Sequence, residues 1–165
     1  MIFLLEKELE DCIIGKELPD INLVGRSGKV YTNESLKGKI VIFNFWSVSR
    51  VPCLMEIPVL NRLHQAYKDN PDVIFISILY DNEENLVKFT ECGFTKRRIA
   101  YEVVPDSRQL MKSTFKLVKA YPTNIFVDRE GKVFMTTSGG VTDRSQEEGL
   151  EEEFRYIIDK ELSRS

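Results

Sequence analysis

Two segments of almost wholly apolar residues constrain the fold of this chain more than any other feature. They are Ile40–Trp46 and Val73–Leu79, and such runs are typical of strands that are covered on both faces of a sheet. Between them, apolar residues in the range 53–67 recur at spacings of three and four, which predicts an amphipathic helix. A strand, a helix and a strand in this order predict a crossover between parallel neighbours.

Turn-forming residues on either side of this unit predict two hairpins. Residues 21–24 and 29–31 flank a turn with two glycines, so the first hairpin precedes the long strands. Thr123–Val127 and 133–137 flank a turn in which Gly131 can take a positive φ, so the second follows them. The second hairpin adds antiparallel strands to the parallel pair.

Weaker patterns predict three more helices and one more strand. The helix at 82–92 ends at a glycine, a capping box of Asp106 and Gln109 begins a helix that runs to about Leu117, and the last helix, at 150–162, has an acidic outer face. Residues 99–104 form the strand. The predicted fold class is therefore α/β, with a central mixed β-sheet flanked by helices.

Length and charge limit the organisation and the function of the chain. Its 165 residues contain no linker-like or low-complexity stretch, so we expect an N-terminal extension at 1–14 and a single domain at 15–165. The net charge of −3 and the lack of a basic run disfavour a nucleic-acid partner. No apolar stretch reaches the roughly 18–20 residues of a membrane span, and the apolar opening is shorter than a secretory leader of about 7–15 apolar residues requires.

The cysteines and the single histidine predict neither a disulfide framework nor a metal site. Cys12, Cys53 and Cys92 are odd in number and scattered, and His64 alone cannot complete a zinc site. We expect Cys12 and Cys92 to be small apolar residues of the core, and His64 to be a surface or packing residue. No cofactor is predicted.

Three ordered motifs resemble the TlpA/ResA-like thiol–disulfide oxidoreductases of the AhpC/TSA-redoxin superfamily. Residues 41–53 resemble the family's strand-to-helix turn, whose pattern is roughly N-F-W-A-x-W-C-x-P-C, and Glu56 and Pro58 match its x-x-E-x-P continuation. Tyr121-Pro122 resembles the cis-proline segment, and residues 15–20 resemble the lead-in. The resemblance implies a thioredoxin-like fold with an N-terminal β-hairpin and an inserted βα unit. It also implies an extracytoplasmic location, periplasmic or membrane-tethered, if a leader was removed; otherwise the protein is cytoplasmic.

The same resemblance implies that the redox motif is degenerate. Arg50 stands where the family has its attacking cysteine, and only Cys53, at the position of the resolving cysteine, is retained. Dithiol exchange needs a thiolate that attacks the substrate disulfide and a second thiol that resolves the mixed disulfide. Because a guanidinium cannot attack sulfur, cycling of a cysteine pair through this motif is excluded.

Two main hypotheses for the function follow. In the first, the charge of Arg50 favours a thiolate at Cys53, which gives weak or one-thiol redox activity at most. In the second, Cys53 is buried, protonated and inert, and the thioredoxin groove binds a protein or peptide partner. That groove would include Trp46, Val51, Pro52, Tyr121 and Pro122, although Trp46 could equally cap the core. A peroxidase is disfavoured, because Arg50 occupies the position where peroxiredoxins need Thr or Ser.

Overall fold

The computed structural model describes residues 2–91 and 98–164, which form six α-helices and seven strands. The helices are α1 (Ile2–Ile13), α2 (Asn33–Leu36), α3 (Val51–Tyr67), α4 (Glu83–Glu91), α5 (Arg108–Ser113) and α6 (Glu147–Leu162). The strands are β1 (Asn22–Val24), β2 (Val30–Thr32), β3 (Ile40–Trp46), β4 (Val73–Leu79), β5 (Glu102–Val104), β6 (Thr123–Val127) and β7 (Val133–Ser138).

The predicted mixed sheet is confirmed. Its strand order is β5-β4-β3-β6-β7, in which β3, β4 and β5 are parallel and β6 and β7 are antiparallel to their neighbours. The first predicted hairpin is also confirmed, and it forms a separate two-stranded sheet of β1 and β2. The register places Asn44 on β3 opposite both Ser77 on β4 and Asn124 on β6. This row of polar side chains crosses the three central strands of the sheet.

Alternating residues of β3 divide the core into two faces. Phe43 and Phe45 pack with Phe115 on one face, where the ring centroids of Phe45 and Phe115 are 4.9 Å apart. Ile40 and Ile42 pack on the other face against α3 and α6. All seven residues of β3 are buried, and each fully buried aromatic side chain stabilises the fold by about 1.5–3 kcal/mol. Both faces of the sheet are therefore covered, as the apolar run predicts.

Helix α1 covers part of the sheet from the N-terminal side. Leu9 is 3% exposed, and the Glu6 carboxylate accepts a hydrogen bond of 3.0 Å from the backbone N–H of Ser138 at the end of β7. The prediction that Cys12 is a core residue is wrong, because its position on α1 faces solvent. Cys92 lies outside the described residues.

The predicted start of α5 is also wrong. Asp106 has a φ of 58°, and Ser107 is the N-cap without a side-chain capping bond, so no capping box forms. The reason is tertiary: Asp106 N–H donates to the carbonyl of Asp81, and Ser107 N–H donates to that of Leu79. These bonds tie the segment to the end of β4. The helix ends at Ser113, earlier than expected.

The structure also locates His64, the helix α2 and the strand β5. His64 packs its ring edge-on against Phe75 at 5.9 Å, as predicted. The short helix α2 was not predicted, although Thr32 and Ser35 form a capping box at its start. Strand β5 begins at Glu102, three residues later than the pattern indicates.

Over the described residues, no helix is long and apolar enough to cross a membrane, and no group of three or more metal-ligating side chains is present.

Candidate functional site

The chain leaves β3 at Trp46, turns through residues 47–49 and enters α3. Arg50 is the N-cap of α3, is exposed, and makes no side-chain capping bond. Its backbone N–H donates to Ser47 O at 3.2 Å, and its carbonyl accepts from Cys53 N–H at 3.0 Å. Pro52 lies in the first turn, where a missing N–H costs no helical hydrogen bond. The guanidinium therefore stands at the mouth of the site, and the thiol lies one helical turn inside.

Cys53 is sealed from solvent. Its side chain is 2% exposed and packs with Trp46, Ile57, Leu79 and Leu86. Burial raises the pKa of the Cys53 thiol to about 12, and a hydrogen bond with the backbone of Ser47 opposes this shift only in part. The Glu56 carboxylate adds to the increase, whereas the Arg50 charge lowers the pKa slightly. Cys53 is thus protonated at neutral pH.

Trp46 belongs to the core beneath the site. Its indole is 1% exposed, its N–H donates to the Ser77 hydroxyl, and its ring meets that of Phe89 edge-on at 5.8 Å. The expectation that Trp46 lines a substrate groove is therefore wrong, and the alternative of a core position holds. The single tryptophan is instead an internal fluorescence reporter next to Cys53.

The other predicted groove residues lie at the start of α3 and directly before β6. Val51 is exposed, Pro52 and Tyr121 are half-buried, and Pro122 is buried. The Tyr121–Pro122 peptide bond is cis, as the resemblance implies. Among the described residues, the backbone N–H and C=O of Tyr121 have no hydrogen-bond partner. The next carbonyl along the chain, that of Pro122, is bonded and accepts from Gly139 N–H at 3.1 Å. An extended backbone could pair with these free groups.

Gly140, in the loop after β7, packs between the Tyr121–Pro122 segment and α3. Its φ is +58°, and a Cβ added there would lie 2.7 Å from Pro122 Cγ, 3.1 Å from Pro52 O and 3.2 Å from Glu56 Oε2. No real side chain fits such distances without a shift of the backbone. The residue was not identified from the sequence, because the contact depends on three elements that are far apart in the chain.

Gly140→Ala is expected to lower the free energy of unfolding by about 2–5 kcal/mol, the sum of left-handed strain and overpacking. Urea unfolding followed by Trp46 fluorescence measures the change. Gly131→Ala is the matched control, because Gly131 has a φ of +83° but no atom within 4 Å of an added Cβ. Its cost should be only that of the backbone strain, about 1–2 kcal/mol. Equal losses in the two variants would contradict the close packing at Gly140.

A buried polar network lies behind Cys53. Glu56 is 1% exposed, and its Oε1 accepts from Asn124 Nδ2 at 2.6 Å and from Asn44 Nδ2 at 3.3 Å. Asn44 Nδ2 also donates to Asn124 Oδ1 at 2.8 Å. Within the described part of the chain, Glu56 Oε2 and the hydroxyl of Tyr101 are buried without a partner. The network is anchored on β3 and β6, so its geometry depends on the register of the sheet.

Burial raises the pKa of Glu56 to about 7, and the hydrogen bond from Asn124 opposes this shift only in part. The carboxyl therefore retains its proton to a much higher pH than an ordinary glutamate does. Sequence analysis found Glu56 as a motif match but missed its partner Asn124. The available signal was an asparagine two residues after Pro122, followed by three apolar residues of the same strand.

The chain resembles known redox proteins along most of its length. The model of the AhpC/TSA family matches residues 14–135. The thiol-disulfide oxidoreductase ResA of Bacillus thuringiensis subsp. konkukian is 31% identical over 149 residues, which are 90% of this chain and 81% of that protein. A ResA of Bacillus cereus is 34% identical over 137 residues, which are 82% of this chain and 75% of the relative.

Solved structures show the same fold. A thiol:disulfide interchange protein of the thioredoxin family from Chlorobium tepidum TLS superposes with a TM-score of 0.66 at 23% identity, over 90% of this chain and 97% of the other. StoA from Bacillus subtilis superposes with a TM-score of 0.60 at 21% identity, over 82% of this chain and 96% of the other. These two likenesses concern the fold alone.

Proposed function

Because this chain belongs to the AhpC/TSA family, and within it to the ResA-like thiol–disulfide oxidoreductases, we propose that it is a member whose motif no longer performs dithiol exchange and whose site binds a polypeptide. The observation that carries the proposal is the position of Arg50 at the head of α3, with Cys53 buried one turn inside. The exposed side chain at the start of α3 is the guanidinium of Arg50, which cannot react with a disulfide. The only thiol of the motif is out of reach of a substrate.

The energetics of Cys53 argue against a one-thiol enzyme. Attack on a disulfide requires a thiolate, and a pKa of about 12 leaves a thiolate fraction of order 10⁻⁵ at neutral pH. Arg50 does lower this pKa, as the one-thiol hypothesis requires, but burial outweighs it. The same burial argues against a peroxidase, whose cysteine must also react as an exposed thiolate.

The binding role is supported by what the site retains. Tyr121 offers an unpaired backbone N–H and C=O among the described residues, and Val51 is 64% exposed at the start of α3. Backbone groups of this kind bind extended segments by adding a strand-like partner, whereas the neighbouring side chains select its sequence. A polypeptide could therefore bind here although no thiol reacts.

Thiol labelling tests the proposal. In the native protein, Cys53 is expected to react with a maleimide about 1000-fold more slowly than Cys12, because burial raises the pKa of Cys53 to about 12 and shields its sulfur, whereas Cys12 is exposed. The matched pair is Cys12→Ser/Cys92→Ser, which retains only Cys53, and Cys53→Ser/Cys92→Ser, which retains only Cys12. In denaturant the two rates should converge. Fast native labelling of Cys53 would overturn the proposal and favour the one-thiol enzyme.

A further inference from the structure

We infer that the partner segment is acidic and that its carboxylates enter a basic cavity beside Arg50; this inference rests on the proposed function and names the chemistry of the partner. The cavity has a volume of about 410 Å³ and opens between the start of α3, Tyr80 at the end of β4, and the segment that joins α5 to β6. We call it the basic cavity. Its cations are Arg50, Lys112, Lys116 and Lys119.

The basic cavity has no internal counter-charge. Among the described side chains, none of its four cations forms an ion pair, and no carboxylate lines it. Asp81 lies nearby, but its Oδ2 already accepts hydrogen bonds from the Ser47 hydroxyl at 2.8 Å and from Val48 N–H at 3.0 Å. Four like charges around one cavity repel one another, so an anion that enters it is stabilised.

This concentration of positive charge contrasts with the rest of the protein. The chain has a net charge of −3, so the general field of its surface disfavours acidic partners. The basic cavity is a local exception next to the residue that replaces the family's nucleophile. Charge complementarity at this one place would orient an acidic segment toward Tyr121 and Val51 rather than toward the remaining surface.

One hydroxyl group adds a hydrogen-bond donor for a carboxylate. The Tyr80 oxygen accepts a hydrogen bond of 2.7 Å from Arg108 Nε, so the Tyr80 proton remains available to a ligand. Arg108 also lies over the Tyr80 ring, with 5.2 Å from Cζ to the ring centroid, which adds a positive charge next to Tyr80. The Ser49 hydroxyl donates to Ser47 Oγ, whose own proton goes to Asp81, and the Tyr121 hydroxyl donates to Met111 Sδ, so neither adds a free donor. A carboxylate would thus meet the cations and the hydroxyl proton of Tyr80.

The free backbone groups of Tyr121 favour a polypeptide over a small anion. Tyr121 is one of the residues that line the basic cavity, so a segment paired with its backbone would pass beside the cavity and could direct side chains into it. In an extended segment, alternate side chains point to the same side at a spacing of about 7 Å. We therefore expect a partner with acidic residues at alternate positions. A free phosphate or carboxylate would use the cations but not the Tyr121 backbone.

Fluorescence anisotropy with defined peptides tests this inference. The probe is a fluorescein-labelled peptide of about ten residues in which Glu and Ser alternate, and the matched peptide has Gln in place of Glu. The Glu peptide should bind at least about tenfold more tightly than the Gln peptide, and its affinity should fall as salt rises from about 0.05 to 0.5 M. Cys53→Ser should bind it unchanged, because the thiol takes no part.

Charge-reversal variants locate the site. Lys112→Glu/Lys119→Glu should weaken binding of the Glu peptide by about tenfold or more. Lys68→Glu/Lys160→Glu is the matched control, because it changes the net charge by the same amount. Both lysines are exposed; Lys68 lies just beyond the end of α3 and Lys160 lies on α6. That control should bind normally. Equal losses in the two variants would mean that only the overall charge matters, which would overturn the inference.

The outcomes also separate this inference from the proposed function. Equal affinity for the Glu and Gln peptides would overturn acid recognition while the binding role stands. Displacement of the Glu peptide by inorganic phosphate at equimolar concentration, or stronger binding of a single-stranded oligonucleotide of similar charge, would also overturn it, since either result indicates a general anion site. Fast labelling of Cys53, in contrast, would overturn the proposed function and leave the charge preference intact.

Discussion

Arg50→Cys is expected to reduce protein disulfides with dithiothreitol, at a rate on the order of tenfold or more above that of the wild-type protein. The new cysteine would be exposed at the N-cap of α3, where the helix terminus stabilises a thiolate. Its thiolate would attack a substrate disulfide, form a mixed disulfide and release one substrate thiolate. Cys53 would then attack the sulfur of residue 50, release the second substrate thiol and close a 50–53 disulfide. Dithiothreitol would reduce that disulfide and complete the cycle.

Insulin reduction followed by turbidity measures this gain. Arg50→Ser controls for the loss of the arginine and should not cycle. Arg50→Cys/Cys53→Ser controls for the resolving step and should be slower than Arg50→Cys, because only dithiothreitol can then resolve the mixed disulfide. A wild-type rate equal to that of Arg50→Cys would show that the present motif is active, contrary to the proposal. A variant whose 50–53 disulfide forms, by mass, but whose rate does not rise would show that the scaffold lacks some other requirement for exchange.

As pH rises from about 4.5 to 7, the wild-type protein is expected to lose stability, and Glu56→Gln is expected to lose much less. The pKa of Glu56 is raised from 4.5 to about 7 in the folded protein, so the folded state holds a proton that the unfolded state has released. Its contribution to stability is fully present below pH 4.5 and is lost as pH rises through 7. At about 1.4 kcal/mol per pKa unit, the wild type should lose about 3 kcal/mol relative to the variant, whose side chain never ionises.

Urea unfolding of both proteins between about pH 4 and about pH 8, followed by Trp46 fluorescence, gives this difference. Burial lowers the pKa of His64, which makes stability rise with pH, but this effect is common to both proteins and cancels in the comparison. Glu152→Gln, at an exposed position on α6, is the control and should keep the wild-type profile. Parallel profiles for Glu56→Gln and the wild type would mean that Glu56 is not the titrating group.

Local patterns predicted most of the fold, and they failed where distant elements meet. The strands β3 and β4 were predicted with their bounds, because an apolar run that is buried on both faces leaves little choice of structure. The start of α5 was not, because the backbone of Asp106 and Ser107 is held by the end of β4. A capping box competes with such bonds only weakly, so the tertiary contact decided the conformation.

The sequence by itself determined that an arginine, and not a sulfur, heads the turn into α3, since the motif sets the register of Arg50 and Cys53. The tertiary structure decided how those residues behave. It placed Trp46 in the core, raised the pKa values of Cys53 and Glu56 by burial, and brought lysines from the segment between α5 and β6 beside Arg50. Burial and charge are sums over neighbours that lie far apart in the chain, whereas a motif records only the order of residues.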